Sequence, residues 1–258
     1  MTALDPSWRE PPADLPLRAG EVHAWAIFLD PAPVERDRLA SLLSSDERSR
    51  ANAFYFERDR RRFTVGRGAL REILGGYAGD RPERLRFRYG ERGKPELAEP
   101  ADGEPLCFNL SHSHGLAVCA VTRRREIGVD VERIRPNLRV DQIVERFFSA
   151  REKAAFRLLP PERKREAFFK CWTRKEAYQK SRGEGFFRSP AGFDVTVEPD
   201  EPPRLLHVEG LPGEASRWSF RELAISPDYA GAVIVEGSDW TLGCWRWRPR
   251  DPGCDSGS

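Results

Sequence analysis

Residues 127–132 read Ile-Gly-Val-Asp-Val-Glu, and this hexapeptide decides how the rest of the chain is interpreted. Alternate side chains of a β-strand face opposite sides, so the three aliphatic residues share one face while Gly128, Asp130 and Glu132 share the other. Residues two apart in a strand lie about 6.5–7 Å apart, so the two carboxylates can converge on one hard cation such as Mg²⁺. A solvent-exposed amphipathic strand has the same pattern, so the hexapeptide alone leaves both interpretations open.

The chain on either side of this strand divides into two halves of similar pattern. Each half begins with a strand, continues through helices and returns to strands. Strands are expected at residues 23–29, 85–89, 106–110, 116–122, 127–132, 193–197, 205–208, 218–223, 229–236 and 240–247. The order predicts an α+β fold of two similar α/β lobes, at residues 21–124 and 125–248. Composition predicts a loose arm at residues 1–20 and a disordered tail at residues 249–258.

Capping and breaking residues predict where the helices begin and end. Ser45 precedes two acidic residues and is the expected N-cap of one short helix in the first half. The next helix is expected to stop at Gly75 and Gly76. In the second half, helices are expected at residues 140–158 and 162–182, because a pair of prolines interrupts the pattern between them.

The composition indicates a globular protein without a membrane-spanning stretch. Hydrophobic residues make up 39% of the 258 positions, and no run approaches the roughly 18–20 apolar residues that a membrane span needs. We therefore expect a cytoplasmic protein. The five cysteines are widely spaced, without a zinc or disulfide pattern, and are expected to be reduced. Arginine runs at residues 60–62 and 123–125 suit phosphate binding, although a solvated surface has the same composition.

A second motif lies in the helix predicted at residues 162–182. Its segment 172–180 reads Trp-Thr-Arg-Lys-Glu-Ala-Tyr-Gln-Lys and places Glu176 and Lys180 one turn apart. Glu176 can serve as a third metal ligand while Lys180 meets a phosphate. An ordinary ion pair between residues i and i+4 is the alternative.

A third motif, Phe-Asn-Leu-Ser-His-Ser-His-Gly at residues 108–115, ends a predicted strand with hydroxyl and imidazole groups. Ser111 and His112 can donate hydrogen bonds to a phosphate. A hydrolytic serine is disfavoured, because strand neighbours point to opposite faces and no Gly-x-Ser-x-Gly elbow is present.

Taken together and in this order, the motifs resemble the surfactin-type 4'-phosphopantetheinyl transferases. The family pattern has a Gly-Lys-Pro turn, a Ser-His-Ser strand end, a Gly-x-Asp-x-Glu strand, and a Trp-x-x-Lys-Glu-Ala-x-x-Lys helix followed by a glycine pair. This chain has them at residues 93–95, 111–113, 128–132 and 172–180, with glycines at positions 183 and 185. The resemblance covers residues from about 21 to 245.

The resemblance implies a fold of two lobes related by pseudo-twofold symmetry, with coenzyme A bound in the cleft between them. By motif, Asp130, Glu132 and Glu176 would bind Mg²⁺, and Lys180 would contact the coenzyme diphosphate. Glu176 and Lys180 would then be the catalytic residues, with Glu176 or a metal-bound water as the base. The remaining residues expected to bind coenzyme A are Arg48, Arg50, Arg62, Lys94, Pro95, Ser111 and His112.

The implied reaction transfers phosphopantetheine from coenzyme A to a serine of an apo acyl or peptidyl carrier protein of fatty-acid, polyketide or nonribosomal-peptide synthesis. The carrier is expected to be acidic, and Phe147 and Phe148 are candidates for its docking patch or for the core. We expect a monomer that binds neither nucleic acid nor membrane. The alternatives are another Mg²⁺-dependent phosphoryl-transfer enzyme and a non-catalytic basic binding protein.

Overall fold

A computed structural model describes residues 3–90, 93–98, 104–182 and 189–248, and its mixture of helices and strands confirms the α+β class. The elements of the first half are β1 (Glu21–Phe28), α1 (Pro33–Ser41), α2 (Ser45–Asn52), α3 (Glu57–Ala78), β2 (Phe87–Tyr89), β3 (Pro95–Leu97), β4 (Leu106–Ser113) and β5 (Leu116–Arg123). Those of the second half are β6 (Ile127–Arg133), α4 (Val140–Phe147), α5 (Ala150–Leu158), α6 (Pro161–Ser181), β7 (Phe193–Val195), β8 (Leu205–Val208), β9 (Trp218–Glu222), β10 (Tyr229–Glu236) and β11 (Thr241–Arg246). Over these described ranges, no helix is both long and apolar enough to cross a membrane.

The two main sheets repeat one topology. The first sheet has the order β11-β1-β5-β4, and the second has the order β6-β10-β9. In the first sheet, β1 pairs antiparallel with β5, the second strand of the β4–β5 hairpin. In the second sheet, β6 pairs antiparallel with β10, the second strand of the β9–β10 hairpin. This repetition agrees with two related lobes. The first sheet has one further strand, β11, which belongs to the second half of the chain and pairs parallel with β1. The lobe boundary near residue 125 remains a prediction.

Two capping boxes correct the helix boundaries expected from sequence. The N-cap of α2 is Ser44 rather than Ser45, because the backbone N–H of Ser44 donates to Glu47 three residues later. The region 140–158 is two helices rather than one, because α4 ends at Phe147 and Ser149 caps the start of α5 by accepting from the Glu152 backbone N–H. Both boxes follow the Ser-x-x-Glu spacing.

The end of α3 also differs from expectation. The helix runs through Gly75 and Gly76 to Ala78 and ends at Gly79, whose φ of 64° lies in the left-handed region. Glycine adopts that conformation without steric cost, so it closes helices at this position. Two glycines inside a helix therefore did not stop it.

The segment before β1 is packed where the loose arm was expected. The indole N–H of Trp8, which is 1% exposed, donates to the Ala224 carbonyl oxygen at 2.6 Å. The Asp5 backbone N–H donates to the Ile225 carbonyl oxygen at 2.7 Å, and Arg9 bridges to Trp245 on β11. One buried tryptophan thus anchors a segment whose composition is otherwise that of a loop. The predicted tail at residues 249–258 lies outside the described residues.

Three apolar clusters fill the molecule. One lies between α3 and the first sheet, one between α6 and the second sheet, and the third between the two sheets. Ile127, Val129 and Val131 belong to the third cluster, so the aliphatic face of β6 packs against the first sheet, as its alternation predicts. The carboxylate face of β6 is thereby turned toward α6. The cysteines in the described ranges are free thiols, as expected, and Cys254 lies outside those ranges.

Candidate active site

A glycine brings the two predicted carboxylate elements together. A Cβ atom at Gly128 would overlap the Ala177 carbonyl oxygen and lie 2.6 Å from the Ser181 nitrogen. Only a residue without a side chain allows the α6 backbone this close to β6. As a result, Lys180 reaches Asp130, with 2.6 Å between the ammonium nitrogen and Oδ1.

Asp130 is almost completely buried, and its two oxygens have different surroundings. Oδ1 accepts from Lys180 and from the Ser111 hydroxyl, the latter at 2.8 Å. Oδ2 is buried without a hydrogen-bond partner among the described atoms. Burial raises the pKa of Asp130, although Lys180 and Ser111 oppose that shift. An unsatisfied carboxylate oxygen facing a site is a position that a cation can fill.

The second and third carboxylates belong to the same charged cluster. Glu132 is half-buried and accepts from the Ser113 hydroxyl at 2.7 Å. Burial raises the pKa of Glu132 and of Glu176, and the charge of Asp130 raises both further. Lys180 opposes these shifts, but the pKa of each carboxyl group stays raised, so a further positive charge would favour the ionised forms.

The residues present fit Mg²⁺ as an open site rather than a closed cage. Across the part of the chain that the structure describes, no three His, Cys, Asp or Glu side chains are close enough to hold a metal ion by themselves. Mg²⁺ usually takes only one or two carboxylates and completes its shell with water and substrate phosphates. The orphaned Asp130 Oδ2 and the raised carboxyl pKa values agree with such a site.

The Ser-His-Ser motif is divided between two roles. The Ser111 hydroxyl donates to Asp130 and accepts from Lys180 at 2.9 Å, so it faces the carboxylates. The side chain of His112 lies on the opposite face of β4 and is exposed. Burial and the positive charges of Lys180 and Arg62 lower the pKa of His112, which keeps its imidazole neutral at pH 7. Sequence analysis includes Ser113 in the motif but gives it no role at the site, although its spacing from Ser111 places both on one face.

The arginines predicted to surround a phosphate are only partly brought together. Arg62 makes a two-point ion pair with Asp30, at 2.7 and 3.1 Å, beside His112. Arg50 lies over the rings of Phe63 and Tyr89, at 5.7 and 5.8 Å. Arg48 donates instead to the Leu43 carbonyl oxygen in its own helix start.

The Gly-Lys-Pro turn contacts the second half of the chain. Lys94 donates to the Ser181 carbonyl oxygen at 3.1 Å and lies 3.2 Å from Glu126. Pro95 pairs with Tyr89 across the small β2–β3 sheet, which places it near Arg50. The turn therefore links the end of α6 to the part of the first half that carries Arg50, which we call the basic side. The glycine pair at positions 183 and 185 lies outside the described residues.

Phe148 and Lys175 are buried in the packing around α6, whereas Phe147 is only partly buried. Phe148 is fully buried and stacks on Phe168 with 5.9 Å between ring centroids, so it belongs to the core. Phe147 is partly buried against Trp172. Lys175, next to Glu176, is buried and donates to Glu152 and to the Phe193 carbonyl oxygen at 2.7–2.8 Å.

Comparisons with known proteins identify the family to which the chain belongs. Residues 29–124 match the family model described as 4'-phosphopantetheinyl transferase, N-terminal, and residues 126–234 match the 4'-phosphopantetheinyl transferase superfamily. The chain is 43% identical over 244 residues to the 4'-phosphopantetheinyl transferase HetI of Nostoc sp., covering 95% of this chain and all of that protein. It is 31% identical over 166 residues to a 4'-phosphopantetheinyl transferase of Bacillus subtilis, covering 64% and 71%. The chain therefore belongs to the 4'-phosphopantetheinyl transferase family.

Proposed function

We propose that this enzyme transfers 4'-phosphopantetheine from coenzyme A to a serine of an apo acyl or peptidyl carrier protein, with Mg²⁺ as cofactor. The observation that supports the site is the meeting of β6 and α6 at Gly128, which sets Lys180 against Asp130 and leaves Asp130 Oδ2 buried without a hydrogen-bond partner among the described residues. In the reaction, the serine oxygen forms a bond to the phosphorus bearing pantetheine. The bond from that phosphorus to the leaving 3',5'-ADP breaks.

Asp130, Glu132 and Glu176 would hold the Mg²⁺ ion, whose positive charge would stabilise the diphosphate as negative charge grows on the leaving group. Their raised pKa values support this assignment, since a cation favours the ionised form of each carboxyl group. Lys180 supplies a positive charge at the same place and would stabilise the phosphate oxygen through which 3',5'-ADP leaves.

The incoming serine must lose its proton, and Glu176 is the candidate base. Burial raises the pKa of Glu176, and the neighbouring Asp130 charge raises it further. A carboxyl group with a raised pKa takes up a proton more readily near neutral pH than an ordinary glutamate does. Glu176 lies on α6 one turn before Lys180, so the proton acceptor and the lysine that would contact the phosphate are on the same side of the helix.

The diphosphate end of coenzyme A would lie along β4. His112 is partly exposed beside Lys180 and Arg62, so it can donate to a phosphate while neutral. Ser111 borders the same place, but its hydroxyl already contacts Asp130 and Lys180. We therefore assign Ser111 to the phosphate site through Lys180, which it holds.

The adenine end would lie near the Gly-Lys-Pro turn. Lys94 and Pro95 approach the basic side of the first half through Tyr89, over which Arg50 lies. The proposed surface for adenine and the 3'-phosphate consists of Lys94, Pro95, Arg50 and Arg62. Arg48 is exposed on the same helix as Arg50 and would join them after leaving the Leu43 carbonyl oxygen.

One chain contains both main sheets and the proposed site residues on β4, β6 and α6, so no second copy is needed to complete the site. This supports a monomer. Phe148 is excluded from the carrier-docking patch by its burial, and Phe147, beside Trp172, is the remaining aromatic candidate of the pair.

Intact mass spectrometry of apo-carrier proteins incubated with the enzyme, coenzyme A and Mg²⁺ tests this function. We expect at least one acidic carrier to gain the mass of phosphopantetheine. Glu176→Gln should lower the rate at least about 10²-fold, because it removes both a ligand and the base. Glu166→Gln, on the exposed side of α6 and paired with Lys170, is the matched control and should be near wild type.

A failure of every carrier to gain mass would contradict the proposed transfer. Release of inorganic phosphate without any carrier would favour another phosphoryl-transfer reaction. Near-wild-type transfer by Glu176→Gln would remove that residue from the mechanism.

A further inference from the structure

Two edge strands of different sheets meet beside the carboxylates. One edge strand of the first sheet is β4, and one edge strand of the second sheet is β6. An edge strand presents backbone N–H groups that need partners when they are buried. Here the partners come from side chains of β4.

Three polar side chains of β4 accept from three backbone N–H groups of β6. The Val129 N–H donates to Asn109 Oδ1 at 3.0 Å. The N–H groups of Val131 and Arg133 donate to the hydroxyl oxygens of Ser111 and Ser113, at 3.4 and 3.1 Å. We call Asn109, Ser111 and Ser113 the side-chain ladder. Each of them is more than nine-tenths buried, and each accepts from the residue twenty positions later.

The two serines of this ladder repeat one arrangement. Each hydroxyl accepts a hydrogen bond from one backbone N–H of β6. It also donates to the carboxylate of the residue that precedes this N–H in the sequence. Ser111 donates to Asp130 Oδ1 at 2.8 Å, and Ser113 donates to Glu132 Oε2 at 2.7 Å. A single hydroxyl therefore fixes both the backbone and the carboxylate at each of the two positions.

The third position of the ladder lacks a carboxylate. Asn109 accepts from Val129, and the residue before Val129 is Gly128, whose missing side chain makes room for α6. The ladder thus contains its own internal comparison, because Asn109 supports the β6 backbone only.

We propose that Ser111 and Ser113 are positioning residues that orient Asp130 and Glu132 for cation and diphosphate binding, across the junction of the two sheets. This inference rests on the proposed function for its catalytic part and on the hydrogen bonds alone for its structural part. Removal of a partner that orients a metal-binding side chain commonly lowers metal affinity or activity about 10–100-fold.

The test compares Ser113→Ala with Asn109→Ala. Amide hydrogen exchange is measured without substrates, and holo-carrier formation is measured over a range of Mg²⁺ concentrations. We expect Ser113→Ala to speed exchange at Arg133 about 5–10-fold, through loss of one hydrogen bond. It should also raise the Mg²⁺ concentration for half-maximal rate about 10–100-fold. Asn109→Ala should speed exchange at Val129 and leave the half-maximal Mg²⁺ concentration at the wild-type value.

Ser113→Thr keeps the hydroxyl and should restore both exchange and Mg²⁺ dependence toward wild type. An equal change in Mg²⁺ dependence in Ser113→Ala and Asn109→Ala would overturn the positioning role, because general weakening of the junction would then explain both. Unchanged exchange at Arg133 in Ser113→Ala would overturn the ladder itself. If the wild-type enzyme transfers nothing while exchange responds as described, the proposed function fails and the ladder stands.

Discussion

At Asp130, burial and charge act in opposite directions. Burial raises the pKa of this carboxyl group, whereas Lys180 and Ser111 favour its ionised form. The 2.6 Å contact from Lys180 reaches only Oδ1, so the second oxygen remains for another positive group. Among the described residues, Lys180 therefore supplies the positive charge in contact with Asp130, and a bound cation would supply more.

Replacing Lys180 should consequently impair catalysis more than folding. We expect Lys180→Met to lower kcat about 10²–10³-fold, because it removes a preorganised charge at the phosphate oxygen of the leaving 3',5'-ADP. Steady-state rates of holo-carrier formation measure the effect. Lys170→Met is the control, since Lys170 lies on the same helix but pairs with Glu166 and Glu222. Equal rates for the two variants would contradict the role of Lys180.

The placement of α6 against β6 depends on Gly128, where a Cβ atom would overlap the Ala177 carbonyl oxygen. Gly128→Ala should push the helix away and lower the free energy of unfolding by about 1–3 kcal/mol. Transfer activity should fall with it, because Lys180 and Glu176 move with the helix. Gly76→Ala, in α3 with open space around it, should be neutral or stabilising by up to about 1 kcal/mol. Urea denaturation and transfer assays distinguish the two, and a neutral Gly128→Ala would contradict the claim that the close approach of α6 to β6 requires glycine at this position.

A buried charge cluster joins α2 to α3. Glu47 is almost fully buried and pairs with Arg67 and Arg71, the latter at 2.6 Å. Burial alone would raise the pKa of Glu47, but the bonds from the two arginines outweigh it and hold the pKa below its ordinary value of 4.5. A depressed carboxyl pKa stabilises the fold above the unfolded-state pKa, and this contribution is lost as the pH falls through the folded-state pKa.

Glu47→Gln should therefore destabilise the protein at pH 7 by about 3 kcal/mol, because it leaves two buried guanidinium groups without a counter-charge. The difference from wild type should shrink as the pH falls from the ordinary pKa of 4.5 through the lower folded-state pKa, where the folded wild-type carboxyl group becomes protonated. Denaturant unfolding at several pH values measures both quantities. A difference that stays constant with pH would show that the charge of Glu47 is not what stabilises the cluster.

At the scale of the whole molecule, the sequence predicted local features well and long-range packing poorly. The alternation of β6 correctly predicted which face packs on the first sheet, because strand geometry is local. The break at Ser149 was readable in principle from its Ser-x-x-Glu spacing. The pairing of β11 with β1 and the burial of Trp8 depend on contacts between chain ends, which no local pattern encodes.

The candidate site divides in the same way. Asp130, Glu132, Glu176 and Lys180 were predicted by motif, and the structure places Lys180 against Asp130. The role of Ser113 was missed because it depends on the meeting of two edge strands, which becomes visible only once β4 and β6 are placed side by side. The carboxylates come from the second half of the chain, whereas the serines that hold them come from the first.

The dependence of holo-carrier formation on Mg²⁺, measured by intact mass for the wild-type enzyme and for Asp130→Ala, tests the central claim most directly. The site described here predicts that the wild-type rate rises with Mg²⁺ to saturation and that Asp130→Ala loses Mg²⁺-dependent transfer at the same concentrations. Circular dichroism and unfolding curves would establish that the variant is folded. An Asp130→Ala enzyme with unchanged Mg²⁺ dependence would contradict the claim that β6 and α6 together form the transfer site.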